Sequence, residues 1–349
     1  MRGREILIEP LARGGHAAAL LVDGRLDDLL IDPDPADPTP VPEAIHRATA
    51  SRPMKGLGGV MVDLGGGLSG FLRTAKPPRA GAPLLAQIGT WAEPGKAPPV
   101  SDRLLLKGIA AILTPDAPGR NIARGLRDSD RRTELASLAE AAMKGAPATL
   151  GLILRSAAET LPDGEIMAEI VRLRAEYAAL AEQTSGAPAR LRPAPGARAE
   201  ALREWRRPGD RVTEAPDALL GRDIWEEIAA LADPRAPLGT GFLSVEPTRA
   251  LTAVDVNTGA NTSGAAALKA NLAAARELPR QLRLRGLGGQ ITIDFAPLAK
   301  SERAQVEKAL TAALRADGID TSLAGWTPLG HLELLRKRAR RPLTDLPRR

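Results

Sequence analysis

Two short apolar runs, each carrying one aspartate near its end, constrain this chain more than any other feature. They are Leu251-Thr252-Ala253-Val254-Asp255-Val256-Asn257-Thr258-Gly259 and Gln290-Ile291-Thr292-Ile293-Asp294-Phe295. Between them Ala267, Leu268, Leu272, Ala275, Leu278 and Leu282 recur at three-to-four spacing, so the segment reads strand, crossover helix, strand. A crossover helix makes its two flanking strands parallel neighbours, and parallel neighbours end on the same edge. Asp255 and Asp294 are thereby expected together, beside the Asn257-Thr258-Gly259 turn. Two carboxylates and an amide oxygen form a hard-oxygen donor set suited to Mg²⁺, with Mn²⁺ as the alternative. The arrangement is a candidate phosphodiester-cleaving centre.

Composition agrees with a polyanionic partner without demanding one. The net charge of +6 favours a phosphate-bearing ligand, because Lys and Arg clusters gain affinity by displacing counterions. An arginine-rich composition gives the same surplus with no such partner. The 349 residues leave room for two or three domains. With no cysteine, disulfides, iron–sulfur clusters and thiolate zinc sites are excluded. His16, His46 and His331 lie too far apart in sequence to form a local metal motif. No apolar run approaches the length of a membrane span, and Met1-Arg2-Gly3-Arg4-Glu5 leads into Ile6-Leu7-Ile8 without a signal-peptide core. The expectation is a soluble, cytoplasmic protein with no membrane partner.

Along the chain, residues 5–9, 17–22 and 27–31 read as strands, the first two joined at Gly14-Gly15. Asp32-Pro33-Asp34-Pro35-Ala36-Asp37-Pro38 breaks regular structure and marks a boundary. Short β-like runs with dense Gly and Pro, among them residues 58–65, 70–72 and 84–88, suggest a small barrel over 36–105. Residues 106–185 combine strands at 109–113 and 150–154 with helices at 131–143 and 163–182, a small α+β module. After the Ser185–Pro188 and Pro193–Gly196 breaks, 198–236 reads as helical or irregular. Residues 237–349 hold the strand–helix–strand unit, with a further helix over 300–315. Pro279 lies inside the crossover helix, where a kink or break is expected. The basic end, with Arg336, Lys337, Arg338, Arg340, Arg341, Arg348 and Arg349, reads either as a disordered arm or as the end of a last helix.

The block Ala250–Asn257, with Asn271-Leu272, Arg280–Gly289 and Ile291–Phe295, strongly resembles the catalytic domain of the ribonuclease E/G family. The resemblance implies that Asp255 and Asp294 bind a catalytic Mg²⁺ with support from Asn257. It also implies an endonuclease that cuts single-stranded RNA to leave 5′-phosphate and 3′-hydroxyl ends. The implied fold is an α+β and α/β multidomain chain. A deoxyribonuclease-I-like catalytic domain would occupy 237–349, and a split ribonuclease-H-like domain 1–35 and 186–236. A degenerate oligonucleotide-binding (OB-fold) barrel would occupy 36–105, and a module like the family's 5′-end sensor 106–185.

The resemblance also assigns candidate RNA contacts. Phe71 and Lys96 match barrel positions, although Met61 stands where the family has an aromatic residue for base stacking, so weaker barrel affinity is expected. Arg155 and Ser156 match a loop that binds a 5′-monophosphate, and Arg124 matches a further basic position. An acid at Gly318-Ile319-Asp320 replaces a cation of the family. Arg280, Arg283 and Arg285 read either as phosphate contacts or as a solvated helix face. The family's zinc-binding cysteine pair has no counterpart, which leads to the expectation of a monomer or weak dimer without a zinc link. Two rival readings stay open: a non-catalytic RNA-binding relative, and a deoxyribonuclease or general phosphodiesterase.

Overall fold

In the computed structural model, which describes residues 3–346 apart from 240, 262 and the side chain of Lys55, the N-terminal strands form a meander. β1 (Arg4–Pro10), β2 (His16–Val22) and β3 (Arg25–Ile31) pair antiparallel in that order. The centres of β1 and β2 are buried on both faces, with Ile6, Leu7 and Ile8 at most 1% exposed, which explains why these two runs are continuously apolar rather than alternating.

The chain then leaves this sheet and builds a second compact unit over Pro38–Asp210. β4 (Ile45–Met54), β5 (Gly59–Gly65), β6 (Leu68–Arg73), β7 (Pro83–Ile88) and β8 (Pro99–Ser101) form a closed five-stranded barrel. Its order is β4-β5-β6-β8-β7, with β7 returning to β4 and β6–β8 the parallel pair. Small side chains line the interior, among them Ala48, Ala50, Val60, Val62 and Ala86, as a narrow barrel requires. Gly70 is part of that economy, since a Cβ there would sit 2.5 Å from Val100 Cγ1.

The remainder of this unit is a layered α+β module. β9 (Leu106–Lys107), β10 (Ala111–Thr114), β11 (Arg120–Ile122) and β12 (Gly151–Leu154) form a sheet in the order β11-β12-β10-β9. Helices α1 (Ser129–Ala142) and α2 (Asp163–Ala181) contribute Leu135, Ile166, Ile170 and Leu173 to the core that this sheet shares. The Asp128 side chain caps α1 by accepting from the amides of Asp130 and Arg131. Glu169 of α2 accepts from three consecutive amides, Ile109, Ala110 and Ala111, at 2.8–2.9 Å and so fixes the entry to β10.

β13 (Ala189–Arg192) adds to the barrel by pairing with β4, and α3 (Ala197–Glu204) follows. The segment from 186 to 236 is thus shared between units. β13 and α3 stay with the barrel, whereas β14 (Arg211–Glu214) pairs parallel with β1, and α4 (Ile224–Ala230) packs Ile224 and Ile228 into the core of that first sheet. Glu9 of β1, 2% exposed, accepts from the amides of Leu219 and Leu220 and from Trp225 Nε1, tying the turn before α4 to the sheet.

The last sheet contains β15 (Arg235–Pro237), β16 (Phe242–Pro247), β17 (Thr252–Asn257), β18 (Gly289–Asp294), β19 (Thr321–Trp326) and β20 (Leu332–Arg336). Its order is β15-β16-β17-β18-β20-β19, and β17–β18 is its parallel pair. Helices α5 (Gly264–Leu284) and α6 (Lys300–Asp317) bury Ala274, Leu278, Leu282, Val306 and Leu310 against one face. Of the expected kink or break at Pro279, the break does not occur: the crossover helix is continuous through it. Among the described residues, no helix is long and apolar enough to cross a membrane.

Where it is described, the basic C-terminal stretch is neither an arm nor a continuation of α6; it opens on a strand and ends in a short 3-10 turn at Leu343–Asp345. Residues 332–336 are β20, inserted between β18 and β19, with Leu332, Leu334 and Arg336 turned inward. Arg336 is 2% exposed and donates to Asp317 at 2.6 Å; Arg340 and Arg341 pair with Asp28 and Asp37. Gly286, at φ +67°, admits the segment after β20, because a Cβ there would lie 1.8 Å from the Arg341 carbonyl oxygen. Arg348 and Arg349 lie outside the described residues.

Glu43 joins three parts of the second unit, accepting from both terminal nitrogens of Arg203 at 2.8 Å and pairing with Lys107 at 2.7 Å. Burial alone would raise its pKa, but hydrogen bonding and charge from Arg203, then Lys107, outweigh this and hold it below the usual value. A depressed carboxylate pKa contributes stability that is present above the unfolded-state value of about 4.3 and is lost as pH falls through the lower folded-state value. Glu43→Gln should therefore cost about 2–3 kcal/mol at pH 7 and less under acid conditions. Urea denaturation at pH 7 and below pH 4 measures both.

Candidate metal centre and nucleic-acid contacts

Alternation along β17 and β18 decides which way each side chain faces. Val254, Val256, Ile291 and Ile293 turn inward under α5 and α6, which leaves Asp255 and Asp294 on the open face. The parallel register pairs Asp255 directly with Asp294. Both are exposed, and among the described residues neither carboxylate is paired with a lysine or arginine. Asn257, two residues on and on the same face, donates its amide hydrogen to Asp255 Oδ2. Asn271 of α5, fully buried, both donates to and accepts from the Ala296 backbone at 3.0 Å, clamping the segment that leaves Asp294. Phe295 then packs on Trp326, with ring centroids 5.8 Å apart.

The donor chemistry fits a hard divalent cation. Two adjacent carboxylates with no protein cation are mutually repulsive and expose oxygen lone pairs to solvent, and Mg²⁺ is commonly held by one or two carboxylates with water and phosphate completing its shell. Among the described residues, no group of three or more His, Asp or Glu side chains converges on one point, so a site here is a two-carboxylate one.

Sequence spacing missed one neighbour. His331 lies immediately before β20 and its Nε2 is 3.8 Å from Asp294 Oδ1. Only the β18–β20 pairing brings it there, and nothing local to His331 signals that pairing.

The three arginines of the crossover helix are placed elsewhere. Arg280 donates to the Leu26 carbonyl and to Glu277 at 2.7 Å. Arg283, 9% exposed, is surrounded by Asp27, Asp28 and Asp317, and Arg285, 8% exposed, donates to the Leu231 carbonyl at 2.6 Å. Their guanidinium groups are used to attach α5 to its neighbours, so the expectation of phosphate contact is corrected. Helical spacing identifies a basic face but not the acids that cover it.

In the other unit, Ser156 is exposed at the start of a short 3-10 turn and Arg155 precedes it. Arg155 donates to the Gly108 carbonyl at 2.8 Å and forms an ion pair with Glu204 of α3. The hydroxyl of Ser156 lies against Gly125, so the loop carrying Arg124 adjoins it. Arg124 is exposed and has no partner among the described residues. On the barrel, Phe71 and Met61 stand opposite each other on β6 and β5, both half-buried. Lys96 is exposed in the β7–β8 loop and pairs with Glu93 at 2.6 Å. Asp320 is exposed just after the Gly318 cap of α6.

The chain is 31% identical over 292 residues to ribonuclease E of Nostoc sp., an alignment covering 72% of this chain and 42% of that protein. It is 27% identical over 304 residues to ribonuclease E of Synechocystis sp., covering 75% and 45%. It is 38% identical over 124 residues to ribonuclease G of Salmonella typhimurium, covering 34% and 25%. The chain thus spans less than half the length of these relatives. The profile of the ribonuclease E/G family matches residues 105–212 and 211–339, the latter containing both aspartates, and the chain belongs to that family.

Proposed function

We propose that this protein is a metal-dependent endoribonuclease that cuts single-stranded RNA and leaves 5′-phosphate and 3′-hydroxyl ends. The observation that carries the reading is the Asp255–Asp294 pair, two exposed carboxylates at matched register with no lysine or arginine paired to either among the described residues. Asp255 and Asp294 would hold Mg²⁺ or Mn²⁺, and Asn257 orients Asp255. When bound, such an ion lowers the pKa of a coordinated water and neutralises charge developing at the scissile phosphate. The rigid strands and the Asn271 clamp hold the carboxylates in place for that work.

The domain reading follows the same proposal. We read the five-stranded barrel as an oligonucleotide-binding fold, supported by its strand order and its single parallel pair. Phe71 on β6 and Lys96 in the β7–β8 loop lie on the strand and loop regions that such barrels use for nucleic acid. We read the β1–β3 sheet as ribonuclease-H-like, the last sheet as deoxyribonuclease-I-like, and Arg155, Ser156 and Arg124 as a 5′-end module. A monomer or weak dimer without a zinc link and a cytoplasmic location complete the proposal.

Asp255→Asn and Asp294→Asn should each reduce Mg²⁺-dependent cleavage of a labelled AU-rich single strand to background while leaving the fold intact, since either change removes a ligand and a charge. Cleavage at the wild-type rate by either variant, or in EDTA, contradicts the assignment. RNA that is bound but never cut would mark a non-catalytic relative, and equal cutting of DNA of the same sequence a general phosphodiesterase.

Glu204 already neutralises Arg155, so 5′-monophosphate and 5′-hydroxyl substrates should be cut at rates within a few-fold of each other. Glu204→Gln frees the guanidinium for a charge-assisted contact of about 1.5–3 kcal/mol, and the 5′-phosphate preference should rise to about tenfold or more. Matched oligonucleotides differing only at that end measure it; a strong preference in the wild type, or none in the variant, contradicts the assignment.

A further inference from the structure

Each carboxylate of the pair has one oxygen turned toward a nitrogen of the protein. Asp255 Oδ2 accepts from Asn257, and Asp294 Oδ1 faces His331 Nε2 at 3.8 Å. The topology makes this regular. Leu332 of β20 pairs with Ile293 of β18, so the residue before it, His331, stands opposite Asp294, as Asp294 stands opposite Asp255. Three strands therefore set Asp255, Asp294 and His331 in one row across the open face.

His331 is held in that row by the hairpin that precedes β20. Its amide donates to Thr327 Oγ1 at 3.1 Å, and its carbonyl accepts from the Thr327 amide at 2.8 Å. The ring is partly sheltered, at 35% side-chain exposure, whereas Asp294 at 63% has room to turn and close the remaining gap. Asp255 Oδ1 and Asp294 Oδ2 are the oxygens that these two contacts leave over.

We propose that His331 is the positioning residue for Asp294, the counterpart of Asn257 beside Asp255. In its neutral Nε2–H tautomer the imidazole donates to one carboxylate oxygen, fixes the carboxylate plane and leaves the other oxygen for the ion. Outer donors of this kind are typically worth 10–100-fold in metal affinity or activity. The inference rests on the metal-site reading above.

The test is Mn²⁺ affinity of the full chain, read from the loss of the free-ion paramagnetic resonance signal, with no RNA present. His331→Ala should weaken Mn²⁺ binding by about tenfold or more, while His331→Gln, which keeps an N–H donor, should stay within about threefold of wild type. Melting curves of both variants should match the wild type. Wild-type affinity in His331→Ala overturns the assignment, as does a His331→Gln variant as weak as the alanine variant. A wild-type chain that binds no Mn²⁺, or binds it equally after Asp255→Asn, sinks the metal reading itself and the role of His331 with it.

Discussion

Two carboxylates held opposite each other on neighbouring strands repel, and the sheet and helices around them are arranged to keep them there. The β17–β18 register leaves no slack, because a slip of one residue would turn every side chain of a strand to the other face and bury the aspartate among Val254, Val256, Ile291 and Ile293. The apolar face that α5 and α6 cover thus fixes the position of the charged one. On the proposed function, a divalent cation would remove that repulsion.

The same helix that enforces this register also anchors the unit. The far end of α5 carries Arg283, which meets Asp27 and Asp28 from β3 and Asp317 from α6, while Arg336 of β20 reaches the same Asp317. Buried ion pairs of this kind do little for net stability but are costly to break, and they impose one arrangement of their elements. Much of the basic charge near the C-terminus is consumed in this way. Net charge is therefore a poor guide to the surface offered to RNA, and the exposed Arg124 says more than the buried arginines of α5 and β20.

Local pattern was enough for the strand–helix–strand unit, for α1, α2 and α6, and for the β1–β3 meander, because each carries an uninterrupted apolar period. It does not single out β4, where Arg47, Ser51, Arg52 and Pro53 interrupt the apolar alternation although the strand completes the barrel through long-range pairing. It failed for β20, where Leu332, Leu334 and Arg336 alternate inward but the surrounding arginines suggested a solvated tail. At the site, Asp255, Asp294 and Asn257 were legible because a crossover helix determines parallel pairing. His331 was not, since an antiparallel partner inserted from the far end of the chain has no local signature. The partners of Arg283 were equally hidden, being set by tertiary contacts up to 256 residues away in sequence.

Thermal melting of the wild type and Asp294→Asn with and without Mg²⁺ tests whether Asp255 and Asp294 repel until a cation joins them. Without metal the asparagine variant should melt higher, by about 1–4 °C, because one of two opposed charges is gone. Saturating Mg²⁺ at about 100 times its Kd should stabilise the wild type by about 2.7 kcal/mol and leave the variant nearly unchanged. A wild type indifferent to Mg²⁺, or a variant stabilised as much as the wild type, would contradict it.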